Sequence, residues 1–401
     1  LDPVASPGRS TSIGTDPGFG IYLHWPFCVS KCPYCDFNSH VSDNVDHDRW
    51  RACLVAELRH YAGLTEGRTV TSIFFGGGTP SLMQPATIAL AVDTISLLWP
   101  VAADIEISAE ANPGSVDQAV FEGFALAGIN RVSIGVQSFD EEALRFLGRK
   151  HRAGEARAAI ELAARLFPRF SFDLIYARPG QTIASWQAEL DEALQYGPRH
   201  LSAYQLTIEQ GTQFETLHRQ GLIPLPEDDL SADLYRATGE RLAAAGLSDY
   251  EVSNYAAPGH ESRHNLTYWR YGDYVGVGPG AHGRLTIDGA KYATRAHRAP
   301  EKWLELVEAN GHGAHPMEQI GDRERVKEML LMGLRLADPI RIDRIADDTG
   351  RSFHDWVEPA RLAKLVQAGY LSLPEQGVAS TAQGRLRLNS VLGYLFPADG
   401  R

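Results

Sequence analysis

Short β-rich apolar runs alternate with helical patterns over the first half of the chain. The runs Gly20–His24, Thr71–Phe75, Asp104–Ala109, Arg131–Gln137, Ser171–Tyr176 and His200–Leu206 predict strands. Between them, Asp46–Ala62, Gln84–Leu98, Ser115–Leu126, Gly154–Leu166 and Ile183–Gln195 predict helices. Successive β–α units imply a parallel sheet with right-handed crossovers. Six units are too few for a closed eight-unit barrel, and a partial, open (β/α)6 barrel fits the count. Residues 1–18 predict a flexible leader, and 19–245 the barrel domain. From about Leu222 the βα rhythm stops, and a helix over Asp229–Ala245 follows. Residues 246–320 form a connecting segment, with a Gly-rich stretch over Val275–His282. Residues 321–401 predict a smaller helical or winged-helix-like C-terminal domain, with Gly369–Leu373 as a short strand.

Composition narrows the class. Across 401 residues, hydrophobic content is 44% and charged content 22%, ordinary for a globular protein. The net charge, 38 − 50 = −12, argues against broad binding to nucleic acid or anionic membrane. The most apolar stretch, Thr87 to Ala103, is broken by Asp93, Ser96 and Pro100, so no membrane span is predicted. No secretory signal is visible in the leader, which points to the cytoplasm. The chain begins at Leu1, so its true N-terminus stays open. Three of the four cysteines fall within eight residues, which favours metal over a disulfide framework and implies a reducing compartment. Cys53, in a helix, reads as a packed thiol.

The three clustered thiols are Cys28, Cys32 and Cys35, at C-x3-C-x2-C spacing. Each can bind one iron of a cubane [4Fe–4S] cluster, leaving the fourth iron without a protein ligand. Such an open iron is a place for chemistry. A zinc loop is the competing reading, with His24 or Asp36 as a poorly spaced fourth ligand. Polar or glycine groups then recur at successive predicted strand ends, where such barrels keep their functional residues. They are Gly76, Gly77, Gly78 and Thr79 at the second strand, Glu110 at the third, Gln137 at the fourth and Asp173 at the fifth, with Arg149 and His151 between the last two. Glycines at a strand end let a ligand approach the backbone. Singly, each of these residues could be a turn, a cap or a surface charge.

The loop from Tyr22-Leu-His-Trp-Pro-Phe-Cys28 to Cys35-Asp-Phe37 resembles the radical S-adenosylmethionine (SAM) superfamily, in which SAM chelates the free iron. Together with Gly-Gly-Gly-Thr-Pro, Glu-Ala-Asn-Pro, Gly-Val-Gln-Ser-Phe, Gly-Arg-x-His and Asp-Leu-Ile-Tyr, it resembles the oxygen-independent coproporphyrinogen III dehydrogenase group. The resemblance runs from about Ile21 into the C-terminal domain. It implies that Glu110, Gln137, Arg149 and Asp173 contact SAM, that the backbone at Gly76–Thr79 holds its methionyl amino group, and that Tyr22 lies near the cluster. Arg149 would suit a carboxylate by its planar fork.

Two details divide that group. Dehydrogenases carry a further cysteine where this chain has Phe37, and His264-Asn-Leu-Thr-Tyr-Trp269 is similar to an H-N-x-x-Y-W motif. Both resemble the HemW branch of haem chaperones, whose members bind haem and pass it to haem-requiring respiratory enzymes. The resemblance implies three cofactors, a [4Fe–4S] cluster, SAM and haem, and an unidentified haem-acceptor protein. Membrane contact would then be peripheral and through that acceptor, no catalytic residue is assigned, and monomer and homodimer stay open. His264, Tyr268 and Trp269 are the candidate haem residues: imidazole is a good iron ligand, and Tyr and Trp offer flat apolar surface. A buried histidine among structural aromatics is the alternative. The rival function is a radical SAM coproporphyrinogen III dehydrogenase. One departure from the group is Ala177-Arg178 where Gly-Leu is expected, which adds bulk and charge beside the expected SAM pocket.

Overall fold

The computed structural model describes residues 16–396 except 43 and 376, so the expected leader lies outside the described residues but for its last three. The six predicted strands are present as β1 (Phe19–Trp25), β2 (Val70–Gly77), β3 (Val101–Ala111), β4 (Arg131–Gln137), β5 (Arg169–Tyr176) and β6 (His200–Gln205). They lie in chain order and pair in parallel throughout. Helices α1 (His47–Leu64), α2 (Pro85–Leu98), α3 (Gln118–Leu126), α4 (Ala153–Leu166), α5 (Ile183–Gln195) and α6 (Asp228–Ala244) follow the successive strands. Side-chain oxygens of Asp46, Asp117 and Thr182 cap α1, α3 and α5 by accepting from backbone N–H groups of the first turn.

The two faces of the strands differ in chemistry because side chains alternate. Ile21, Leu23 and Trp25, Ile73 and Phe75, Val132 and Ile134, and Phe172 and Leu174 pack with the helices into one large core. Tyr22, Ser72, Phe74, Glu106, Glu110, Ser133 and Asp173 take the alternate positions and line a concave, largely polar lumen. Cys53 of α1 is buried in the apolar core, at 3% exposure.

Residues 246–320, expected as a connecting segment, carry six further strands of the same sheet. At the β6 edge are β7 (Ser248–Asp249) and β8 (Asn254–Ala256), both antiparallel. At the β1 edge, β9 (Asp273–Val277) adds in parallel, then β10 (His282–Ile287), β11 (Ala290–Arg295) and β12 (Glu318–Gln319) add antiparallel. The resulting sheet has twelve strands and does not close, so the architecture is an open, partial (β/α)6 barrel with extensions at both edges. The β1-side extension is fixed to α1 by Glu57. This fully buried carboxylate accepts from Gly278 N (2.8 Å), Gly313 N (2.8 Å) and Trp303 Nε1 (3.0 Å). Burial pushes its pKa up to about 7.

Helix α7 (Arg263–Trp269), capped by Ser262, packs against β1, β2 and β9 and closes the lumen at the N-terminal ends of the strands. The C-terminal residues form a separate core around Val326, Leu330, Ile345, Phe353 and Val378. That domain is helical, with a small three-stranded antiparallel sheet of Ile340–Arg341, Gly377–Ser380 and Leu371–Ser372. Among the described residues, no helix is long and apolar enough to cross a membrane.

Candidate functional site

The cysteine loop leaves β1 at Trp25 and is tied down by five hydrogen bonds. His40 N donates to Pro26 O (2.7 Å), and Phe214 N donates to Pro33 O (2.9 Å). Asn38 Nδ2 donates to Pro279 O and Arg298 O, both at 2.9 Å. His24 Nε2 donates to Asn38 O (2.8 Å), which leaves Nδ1 to accept from Tyr22 Oη (3.0 Å). Burial lowers the His24 pKa to about 4, so this neutral tautomer holds through the physiological range. Cys28, Cys32 and Cys35 are free thiols, each partly exposed. Thr79 Oγ1 donates to Cys28 Sγ (3.3 Å), and Arg149 Nη1 lies 3.6 Å from Cys32 Sγ. Burial raises the thiol pKa of Cys28 and Cys35.

These thiols open onto a cavity of about 510 Å³ at the C-terminal ends of the strands. Its wall also includes Gly77, Gly78, Thr79, Glu110, Gln137, Arg149 and Asp173. Ten of the predicted residues thus come together from four strand ends and two loops. Gly77 has φ +112°, and a Cβ there would meet the His24 ring at 2.6 Å. Gly78 has no room either, since its Cβ would lie 2.7 Å from Phe27 O. Gln137 sits at φ +68°, where β4 shifts register against β5. A non-glycine residue held in that region at a cavity wall is the kind of strain that accumulates at functional sites. Gly148, at φ +67°, lets the Arg149 loop close on Pro33. His151 pins that loop to β4 by its Nε2 bond to Val136 O (3.1 Å).

The cavity is acidic at its base and cationic at one side. Burial, and then the charge of Asp173, pushes the Glu110 pKa up to about 8. Burial raises Asp173 to about 6, while Ser133 Oγ donates to it at 3.2 Å. Gly77 N donates to Glu110 Oε2 (3.2 Å). Arg149 Nη2 donates to Gly135 O (2.8 Å), and its Nε is buried without a hydrogen-bond partner.

Tyr22 and Gly76 do not reach the wall. Gly76 lies one layer below, where its Cβ would lie 2.9 Å from the Tyr22 ring. Conversely, Ser133, Tyr204, Gln205 and Thr207 line the cavity although none was a candidate. The signal for Tyr204 and Gln205 was the strand-end rule, carried on to the sixth strand.

The candidate haem residues lie elsewhere. His264 is 1% exposed and belongs to the lumen floor. Its Nδ1 is 2.9 Å from Ser72 Oγ and its Nε2 is 2.5 Å from Tyr268 Oη. Its ring stacks on Phe74, with centroids 5.0 Å apart. Burial drops its pKa to about 3. Trp269 is half-buried, with Arg335 stacked over it at 4.6 Å. In this arrangement both nitrogens of His264 are hydrogen-bonded within the protein, as the buried-histidine alternative expects.

Arg178 also departs from expectation. It turns away from the cavity and is itself buried, pairing with Glu189 (Nη2–Oε2 2.5 Å) and donating to Ser138 Oγ. Ala177, where the group has glycine, takes φ +57°. The conformation that glycine adopts freely is kept at some cost in strain.

Comparison with known proteins fits this arrangement. Residues 22–193 match the Radical SAM superfamily, and residues 321–387 match the HemN C-terminal domain. "Heme chaperone HemW" of Escherichia coli (strain K12) is 40% identical over 96% of this chain and 99% of its own length. The chain belongs to the HemW family of radical SAM proteins. Its Mycobacterium tuberculosis (strain H37Rv) relative, also named heme chaperone HemW, is 36% identical over 98% of both chains. The mouse "Radical S-adenosyl methionine domain-containing protein 1, mitochondrial" is 37% identical over 99% of this chain and 91% of its own. The solved structure of coproporphyrinogen III oxidase HemN from Escherichia coli superposes with a TM-score of 0.79 over 96% of this chain and 91% of that one. At 23% identity, that likeness speaks for the fold alone.

Membership of the superfamily implies a [4Fe–4S] cluster and SAM. The donor set fits a cluster better than a single ion. Among the described residues, no three His, Cys, Asp or Glu side chains converge on one metal position. Tetrahedral zinc needs such convergence, whereas a cubane offers each thiolate a separate iron.

Proposed function

We propose that this member of the HemW family is a haem chaperone, binding haem and passing it to haem-requiring proteins. What carries the reading is the near end-to-end identity with proteins named heme chaperones, 40% over 96% of the chain for one of them. Phe37, at the position where the dehydrogenases of the group place a further cysteine, supports it. The acceptor protein is the partner, and any membrane contact would run through it. Cysteines clustered to hold metal favour a reducing compartment, for which we propose the cytoplasm.

In this proposal Cys28, Cys32 and Cys35 hold the [4Fe–4S] cluster, which supplies an open iron and an electron. Gly77 N, Gly78 N and Thr79 N already donate within the protein, to Glu110, Trp25 O and Phe27 O. That loop therefore offers a ligand ammonium its carbonyl oxygens. Arg149, on the cavity wall, suits the carboxylate of SAM by its charge and planar fork. Glu110 and Asp173 accept from hydroxyl and amino groups, and Gln137 is held by backbone strain to contact the same ligand. Tyr22 acts one layer below, by orienting His24 and through it the cysteine loop.

The HemN-like fold supports a second reading, a radical SAM coproporphyrinogen III dehydrogenase. A haemin titration of anaerobically reconstituted protein decides between them. Saturable binding near one haem per chain is the expected result. Absence of specific binding, with decarboxylated product formed from coproporphyrinogen III, would replace the chaperone by the enzyme.

A further inference from the structure

One rim of the cavity is unlike the rest of the surface. Val29, Phe37 and Val41 of the cysteine loop are large apolar side chains exposed to 64%, 57% and 57%. The loop is held against the turn before β10 and the segment after β11, because Asn38 Nδ2 bonds both Pro279 O and Arg298 O. Gly280 is so close that a Cβ would lie 2.5 Å from Asn38 Nδ2. Apolar groups exposed on a fixed loop are available to a flat ligand without an ordering cost.

The charges on this rim run against the chain as a whole. The protein carries a net −12, and many of its arginines are paired with carboxylates. Lys31 and Arg298 are exposed and make no ion pair among the described residues.

Next to Arg298, whose charge reaches it, His282 opens β10 opposite Arg295. It is exposed, and its ring makes no hydrogen bond among the described residues, in contrast to His264. Partial desolvation and the guanidiniums of Arg284, Arg295 and Arg298 hold its pKa below the ordinary histidine value, which favours the neutral ring.

We propose that this rim is the haem-binding face, with His282 as an iron ligand, Phe37 and Val41 under the macrocycle, and Arg298 and Lys31 on the propionates. A porphyrin dicarboxylate matches all three chemistries at once: an apolar plane, two carboxylates and a metal that takes imidazole. The proposal rests on the chaperone reading and locates its ligand. It also places haem beside the cluster cavity, since Phe37 and Lys31 line both.

The test titrates haemin and iron-free protoporphyrin IX into cluster-reconstituted, full-length protein. His282→Ala and Arg298→Glu are compared with wild type, and His354→Ala, on the surface of the C-terminal domain, is the control. His282→Ala is expected to lose the histidine-ligated Soret band and to weaken haemin binding about tenfold, leaving protoporphyrin binding unchanged. Arg298→Glu is expected to weaken both ligands several-fold, and His354→Ala neither. If haemin binds wild type and both rim variants with the same affinity and spectrum, this location is overturned and the chaperone reading stands. If wild type shows no saturable haemin binding, both fall.

Discussion

His264 Nε2 and Tyr268 Oη lie 2.5 Å apart within one helix, and the other ring nitrogen is bonded to Ser72 across the lumen. The H-N-x-x-Y-W motif is in this way a plug that shuts the N-terminal end of the barrel. Replacing His264 by Ala empties a stacked aromatic site and strands two hydroxyls, at a cost of about 3 kcal/mol. Chemical denaturation will show the loss, while the haemin spectrum keeps its Soret position. A shifted Soret band in a variant of undiminished stability would return the motif to the role of iron ligand.

If Glu110 and Asp173 contact SAM as proposed, its binding acquires a definite pH dependence. A carboxyl whose pKa is raised keeps its proton at neutral pH, and Glu110 is raised to about 8. Contact with a cationic ligand favours the carboxylate, so binding releases that proton. Affinity therefore rises with pH up to about 8 and levels off above it. Equilibrium dialysis of SAM under anaerobic conditions is expected to give about tenfold tighter binding at pH 8 than at pH 6.5. Glu110→Gln should bind more weakly and flatten the profile. A profile equally steep in that variant would assign the proton to another group.

The polar strand-end residues were legible because parallel β–α units confine functional groups to one end of the sheet, and Glu110, Gln137 and Asp173 are conspicuous there. Ser133 was not, since a serine in a strand carries no signal until its bond to Asp173 is seen. The strands beyond residue 246 were hidden for a different reason. Asn254–Ala256 and Glu318–Gln319 are too short to show a period, and Asp273–Val277 is interrupted by glycine. His264 and Tyr268 were legible as a motif but not as a location. Histidine and aromatics at helical spacing look alike in a core and at a cofactor, and only burial separates the two.

Arg178 illustrates how a departure from a family pattern can be structural. Its guanidinium is buried against Glu189, which also accepts from Ser138 Oγ (2.5 Å) and Phe139 N (2.9 Å). Arg178→Leu leaves that carboxylate buried with its cation gone, and should cost about 3 kcal/mol. SAM affinity should not change, because the side chain faces away from the cavity. Weaker SAM binding with unaltered stability would place Arg178 in the cofactor site after all.

With the proposed cluster on Cys28, Thr79 bears on its potential. Its hydroxyl donates to Cys28 Sγ at 3.3 Å, and a donor to a ligating sulfur stabilises the more negative, reduced state. Thr79→Val keeps the shape and deletes the donor. If the bond is worth about 0.5–1.5 kcal/mol, the one-electron midpoint potential should fall by about 20–60 mV. Redox titration followed by electron paramagnetic resonance reads this directly, with no need for turnover. The sign is the decisive part. Loss of a hydrogen bond can only make the cluster harder to reduce, whereas water entering the space left by the hydroxyl would restore a donor and the potential. An unchanged potential with intact cluster content would therefore mean that solvent reaches Cys28, and that Thr79 is a wall of the cavity rather than a determinant of its redox chemistry.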